Sequence, residues 1–132
     1  MKRNKSNQVK ESLHINRLFQ KLISSKFFIF PIKGKLNVTD NHGVYIIYTP
    51  EDLVVHVGST PSGKKGLNQR LYNHISCTGM LYHNYLKVLN IEMRGTHKFK
   101  FLIVSDPRKR ALLESFTAGI LCPIYFGTSQ KK

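Results

Sequence analysis

The chain has 132 residues, of which 41% are hydrophobic, and carries 21 Lys and Arg against 7 Asp and Glu, a formal charge of +14. That length suits one domain, the apolar content excludes global disorder, and no apolar run approaches the ~18 residues of a membrane helix. The charge calls for a polyanionic partner, nucleic acid first, with an anionic membrane surface or a merely basic exterior as the competing explanations.

Residues 1–8 are polar and basic and read as loose. Residues 9–25 form an amphipathic helix, with Ile15, Leu18, Phe19, Leu22 and Ile23 at helical spacing and Arg17 and Lys21 off that stripe. Phe27 to Phe30 is a short β-like run ended by Pro31, and 33–42 is a mostly polar loop. A hairpin follows: Val44 to Tyr48, a turn at 49–52, and Leu53 to Val57. A loop at 59–66 leads to a helix over 67–76 that buries Leu67, Leu71 and Ile75. A second helix is expected over 80–92, and a third strand over Phe99 to Val104. Asp106-Pro107 opens a last helix, Asp as N-cap and Pro at its first position, which stops near Leu121 before Pro123. The order predicts a mixed α/β (α+β) domain with a small, largely antiparallel sheet.

Several polar residues stand out against this apolar frame. With a four-residue turn, Tyr45 lies directly across the hairpin from His56, so phenol and imidazole share one face. Arg70 and His74 are four apart and flank the buried stripe of their helix; alone, each reads as a solvated surface group. Acidic residues are few. Asp106 is taken as a cap, Glu51 and Asp52 sit in a turn, Asp40 in a loop, Glu11 on the first helix and Glu92 beside Arg94. Glu114 faces Ala111, Thr117, Ala118 and Leu121, where a carboxylate is costly unless it is paired or binds a metal. Arg110, one turn back, is its alternative partner. Cys77 and Cys122 make no CxxC pair and no zinc pattern with the six histidines. Two ordinary reduced thiols fit an intracellular protein, as does the lack of an unbroken apolar stretch after the basic N-terminus; a single disulfide stays open.

Gly43-Val44-Tyr45 and His56-Val57-Gly58 resemble the paired signature of the GIY-YIG nuclease superfamily. The resemblance extends to a helix with Arg70 and His74 and to a late-helix Glu114 followed by Pro123, and it covers roughly 43–126. It implies a three-stranded antiparallel sheet flanked by helices at 43–127; residues 1–42, outside the resemblance, read as a basic helical extension and 128–132 as a basic tail. It implies divalent-metal-dependent hydrolysis of phosphodiester bonds in nucleic acid, DNA being the expected substrate. Carried over, Tyr45 activates or positions the attacking water. Arg70 stabilises charge on the scissile phosphate, and His74 accepts a proton or a hydrogen bond from Tyr45. Glu114 holds one Mg²⁺ or Mn²⁺. His56 stands where the family usually has tyrosine, and Phe126 where it often has asparagine, which motivates an alternative: a weak or inactive nucleic-acid-binding module on the same fold. Lys64 and Lys65 belong to Gly58-Ser-Thr-Pro-Ser-Gly63-Lys64-Lys65, nearly a phosphate loop, but Lys65 replaces the hydroxyl residue that such loops need. They read instead as a basic loop touching the nucleic-acid backbone. Cutting both strands with one site needs two copies or two visits, so a homodimer is open; no membrane partner is expected.

Overall fold

The structure, a computed structural model, describes residues 3–127; the expected basic tail at 128–132 lies outside them. Helix α1 spans Lys5–Ile23, starting four residues before the expected residue 9 and taking in 5–8, which the sequence reads as loose, because the Asn4 side chain accepts a hydrogen bond from the Asn7 amide and caps it. Ser24 ends α1 by returning its amide and hydroxyl to the Gln20 carbonyl. The sheet is formed by β1 (Phe28–Ile29), β2 (Gly43–Tyr48), β3 (Val54–Ser59) and β4 (Lys98–Ile103), wholly antiparallel in the order β1-β4-β2-β3. The mixed class is as the sequence predicts. The sheet has four strands rather than three, because the Phe27–Phe30 run pairs with β4 through Phe28 opposite Phe99.

Strand β2 is buried at all six positions, which explains its unbroken apolar sequence. Val44, Ile46 and Tyr48 pack beneath α1 and α4 (Pro107–Leu121), against Phe19, Leu22 and Leu113. Tyr45 and Ile47 face the other layer, with Leu67, Leu71 and Ile75 of α2 (Leu67–Ile75) and Phe30 and Phe99. Segment 3–42 belongs to both layers, through α1 on one side and Phe30 and Leu36 on the other. Among the described residues no helix is long and apolar enough to cross a membrane.

The hairpin register differs from the expected one. Tyr45 lies opposite Gly58, and Ile47 opposite His56. Thr49 closes a five-residue turn by accepting Glu51 and Leu53 amides on its hydroxyl, with Asp52 in the left-handed region at φ 73°. A bulge at Val55 adds one further residue. Together they shift Tyr45 by two positions, an even slip, so it keeps its face. The expected helix over 80–92 is broken up. A short turn of α3 (Gly79–Leu81) runs into a π-helical turn over Tyr82–Leu86, where the Lys87 amide bonds Tyr82 five residues back, and Asn90 turns left-handed at φ 55°. Asp106 does occupy the N-cap of α4, before Pro107, but its side chain makes no capping bond.

Gly43 is fixed by close approach: a Cβ there would stand 2.1 Å from the Leu102 carbonyl oxygen on β4. Gly43→Ala must part the two central strands, and the expected cost is about 1–3 kcal/mol or more. A lower urea midpoint with unchanged slope checks this; an unchanged midpoint contradicts it.

Candidate active site

Three of the polar side chains converge above the β3 edge of the sheet. The Tyr45 ring runs outward from β2 across Gly58, where a Cβ would sit 2.4 Å from its hydroxyl oxygen. The glycine of the second motif therefore makes room for the phenol of the first. Beyond it the Tyr45 hydroxyl lies 2.6 Å from Nε2 of His74, presented by α2. His56 packs on both rings, 6.0 Å from Tyr45 and 5.1 Å from His74 between centroids. So the expected proximity of Tyr45 and His56 is present, but diagonally across the strand pair rather than directly.

Arg70 sits one turn before His74 and is half-buried. Its guanidinium hydrogen-bonds the Tyr45 phenol, but its Nε is buried with no hydrogen-bond partner among the described residues, an unusual state for such a donor. Its charge acts on the whole cluster. Burial pushes the Tyr45 phenol up to about 12, Arg70 opposing and the Glu114 charge adding to the rise. Burial lowers His56 to about 4, with Arg70 adding to it and the Tyr125 backbone opposing. His74 is held well below the usual imidazole range by burial, then by His56 and Arg70. At neutral pH the cluster is thus a protonated phenol, two neutral imidazoles and one fixed cation.

Glu114 arrives from α4 on the opposite face of the sheet. It does not pair with Arg110, and among the described residues it forms no ion pair. Arg110 is buried and donates instead to the carbonyls of Thr60, Val104 and Ser105, tying α4 to the ends of β3 and β4. Glu114 accepts a hydrogen bond of 2.5 Å from the Ser59 hydroxyl, at the end of β3, and is half-buried. The described residues contain no group of three His, Cys, Asp or Glu side chains suited to a metal. A divalent ion at this edge would be held by one carboxylate and retain most of its waters, a ligand set that suits Mg²⁺.

Lys64 and Lys65 lie outside the cluster, exposed on the 59–66 loop, where they line a cleft of about 350 Å³ with Lys35, Asp40 and Asn68. The phosphate-loop likeness has no structural counterpart. The sheet is antiparallel, and the first amides of α2, those of Leu67 and Asn68, are taken by the carbonyls of Asn41 and Thr39. His42 pins the loop, its two ring nitrogens meeting the Thr60 hydroxyl at 2.7 Å and the Gly63 carbonyl at 2.8 Å. Cys77 and Cys122 are free and exposed.

Sequence reasoning missed Ser59 and Tyr125. Strand alternation could have found Ser59, which follows Gly58 and must face α4. Tyr125 is placed by tertiary docking: its amide and that of Ile124 bond the Val55 and Val54 carbonyls, its hydroxyl accepts from Asn84, and its ring lies 6.0 Å from His56. No protein-family model matches the chain, and no curated protein matches it.

Because the folded pKa of His56 is depressed, the unfolded chain binds more protons between about pH 6.5 and about 4. Stability is therefore full above about pH 6.5 and falls as pH drops through that window, by an amount of order 3 kcal/mol. Denaturant midpoints from pH 8 to 4, for the parent and His56→Phe, test this; equal slopes for the two proteins would contradict it. Gly58→Ala is expected to displace the phenol from His74, visible as a changed His74 imidazole resonance in a still-folded protein.

Proposed function

We propose that the chain is a divalent-metal-dependent endonuclease that hydrolyses phosphodiester bonds in nucleic acid, DNA foremost. The observation that carries this reading is the buried Tyr45–His74 pair beside a guanidinium whose Nε lacks a partner. A phenol with a pKa near 12 is a poor base alone. Bonded to a neutral imidazole, it can take a proton from water while passing its own to His74 Nε2. Arg70 donates to a non-bridging phosphate oxygen, which satisfies Nε and offsets charge in the transition state. His56 contributes by bulk, packing on both rings, and burial keeps His74 unprotonated so that the acceptor is empty when the water arrives. Glu114 would hold the ion, with Ser59 fixing the carboxylate, and the ion would supply positive charge to the developing phosphoryl transition state. The charge of +14, including Lys64 and Lys65, gathers the polyanion onto this edge.

The test is supercoiled plasmid with Mg²⁺, Mn²⁺ or EDTA, alongside Glu114→Ala and Tyr45→Phe. Nicking should require the metal, vanish in Glu114→Ala with binding kept, and fall ~10²–10⁴-fold in Tyr45→Phe. Metal-independent cutting, or a Glu114→Ala protein that cuts like the parent, would refute the assignment. Removing Lys64 and Lys65 together should weaken binding evenly across sequences and lower the salt slope by roughly 1–2; an unchanged slope would remove these lysines from the interface.

A further inference from the structure

A cleft of about 550 Å³ opens beside Glu114, walled by Val57, Ala118, Gly119, Pro123 and the Phe126 ring, with Ser115 at its rim. Its size falls within the roughly 300–1,000 Å³ of small-ligand sites. Two residues on its wall break local rules of stability. Gly119 lies inside α4, where glycine costs about 1 kcal/mol against alanine. A Cβ there would meet no atom within 4 Å, so packing does not demand the glycine. Cys122 ends the helix at φ 48°, a left-handed position that glycine fills more cheaply. Departures of this kind collect at functional surfaces. What the glycine does is keep the space over the α4 backbone open.

We propose that this cleft receives one unpaired nucleobase next to the phosphate that is cut, so that the substrate is nucleic acid with a displaced or single-stranded nucleotide at the cleavage point. This rests on the nuclease reading above and narrows its substrate. Glu114 is common to the cleft and the proposed catalytic edge, so a base in the cleft would lie beside the carboxylate proposed to hold the ion. A base has apolar faces for Val57, Ala118 and Phe126, and polar edges for the Ser115 hydroxyl. Phe126 lines the cleft and is 52% exposed. The net charge of +14 selects a ligand with phosphates attached over a neutral apolar one. In an intact duplex both faces of each base are covered by neighbours, so only an unstacked base can enter.

The experiment uses the full chain and short oligonucleotides, single-stranded, flapped or fully paired, with 2-aminopurine placed in turn around the cut. Fluorescence is read in EDTA and cleavage separately in Mg²⁺, for the parent, Gly119→Leu and Phe126→Ala. Single-stranded or flapped substrates should be cut faster than duplex, and one 2-aminopurine position should change intensity on binding. Both variants should lose that signal and cut about 5- to 150-fold more slowly, while Gly119→Leu melts no lower than the parent. Equal cutting of paired and unpaired substrates, or variants that cut like the parent, would overturn the proposal and leave the nuclease standing. No cutting by any protein, with the signal present and lost in both variants, would refute the nuclease and keep the base site. If Gly119→Leu instead turned a dimer into a monomer without touching the signal, the cleft would be an interface between copies and the proposal would fall.

Discussion

The bond between the Tyr45 hydroxyl and His74 Nε2 constrains everything around it. Both groups are buried among apolar side chains, where an unpaired hydroxyl or imidazole costs a few kcal/mol. They must therefore meet, and meeting fixes two things at once. It sets the rotation of α2 about its axis, since His74 can reach the phenol from only one side of the Leu67–Leu71–Ile75 stripe. It also requires that nothing stand between β2 and the edge, which leaves position 58 without a side chain. Once α2 is locked, Arg70 is carried into the cluster one turn earlier, whatever its own packing preferences.

The electrostatic pattern follows from that geometry. Two imidazoles buried near a guanidinium do not ionise at neutral pH, so among the described residues Arg70 is the fixed cation of the cluster. Glu114 lies across the sheet edge, near enough to raise the phenol yet bonded to Ser59 rather than to a cation. Unlike charges are kept apart although each would stabilise the other. Among the described residues neither Arg70 nor Glu114 therefore has an ion-pair partner. The price is visible in the unsatisfied Nε, and the buried Arg110 shows the contrast: its Nε and Nη1 end on carbonyls and fasten α4.

Most elements were legible because their signals are local. The Ile15–Leu22 stripe, the apolar hairpin and Asp106-Pro107 each lie within a few residues. Tyr45, Arg70 and His74 could be placed on common ground because strand parity and helical spacing are short-range rules. The hairpin register was misread because a Thr49 hydroxyl network and a bulge add residues that alternation does not count; the cluster survived because the slip was even. The fourth strand was decided by long-range packing, Phe28 on Phe99 above all. The true partner of Glu114 escaped for a similar reason. Arg110 is the neighbour in sequence, but buried carbonyls outbid a carboxylate that has a hydroxyl of its own.

Residues 124 and 125 hydrogen-bond to the outer side of β3 and bring Tyr125 against His56. That places the closing piece of the cluster after α4, at the far end of the described chain. During synthesis β2, β3 and α2 leave the ribosome early, yet the sheet has no β4 and its β3 edge lies open. Glu114 and Tyr125 follow only later. A nascent chain can thus begin to fold, and even form the Tyr45–His74 pair, well before the edge is complete. The order of emergence thus leaves the β3 edge unfinished until α4 and Tyr125 have followed.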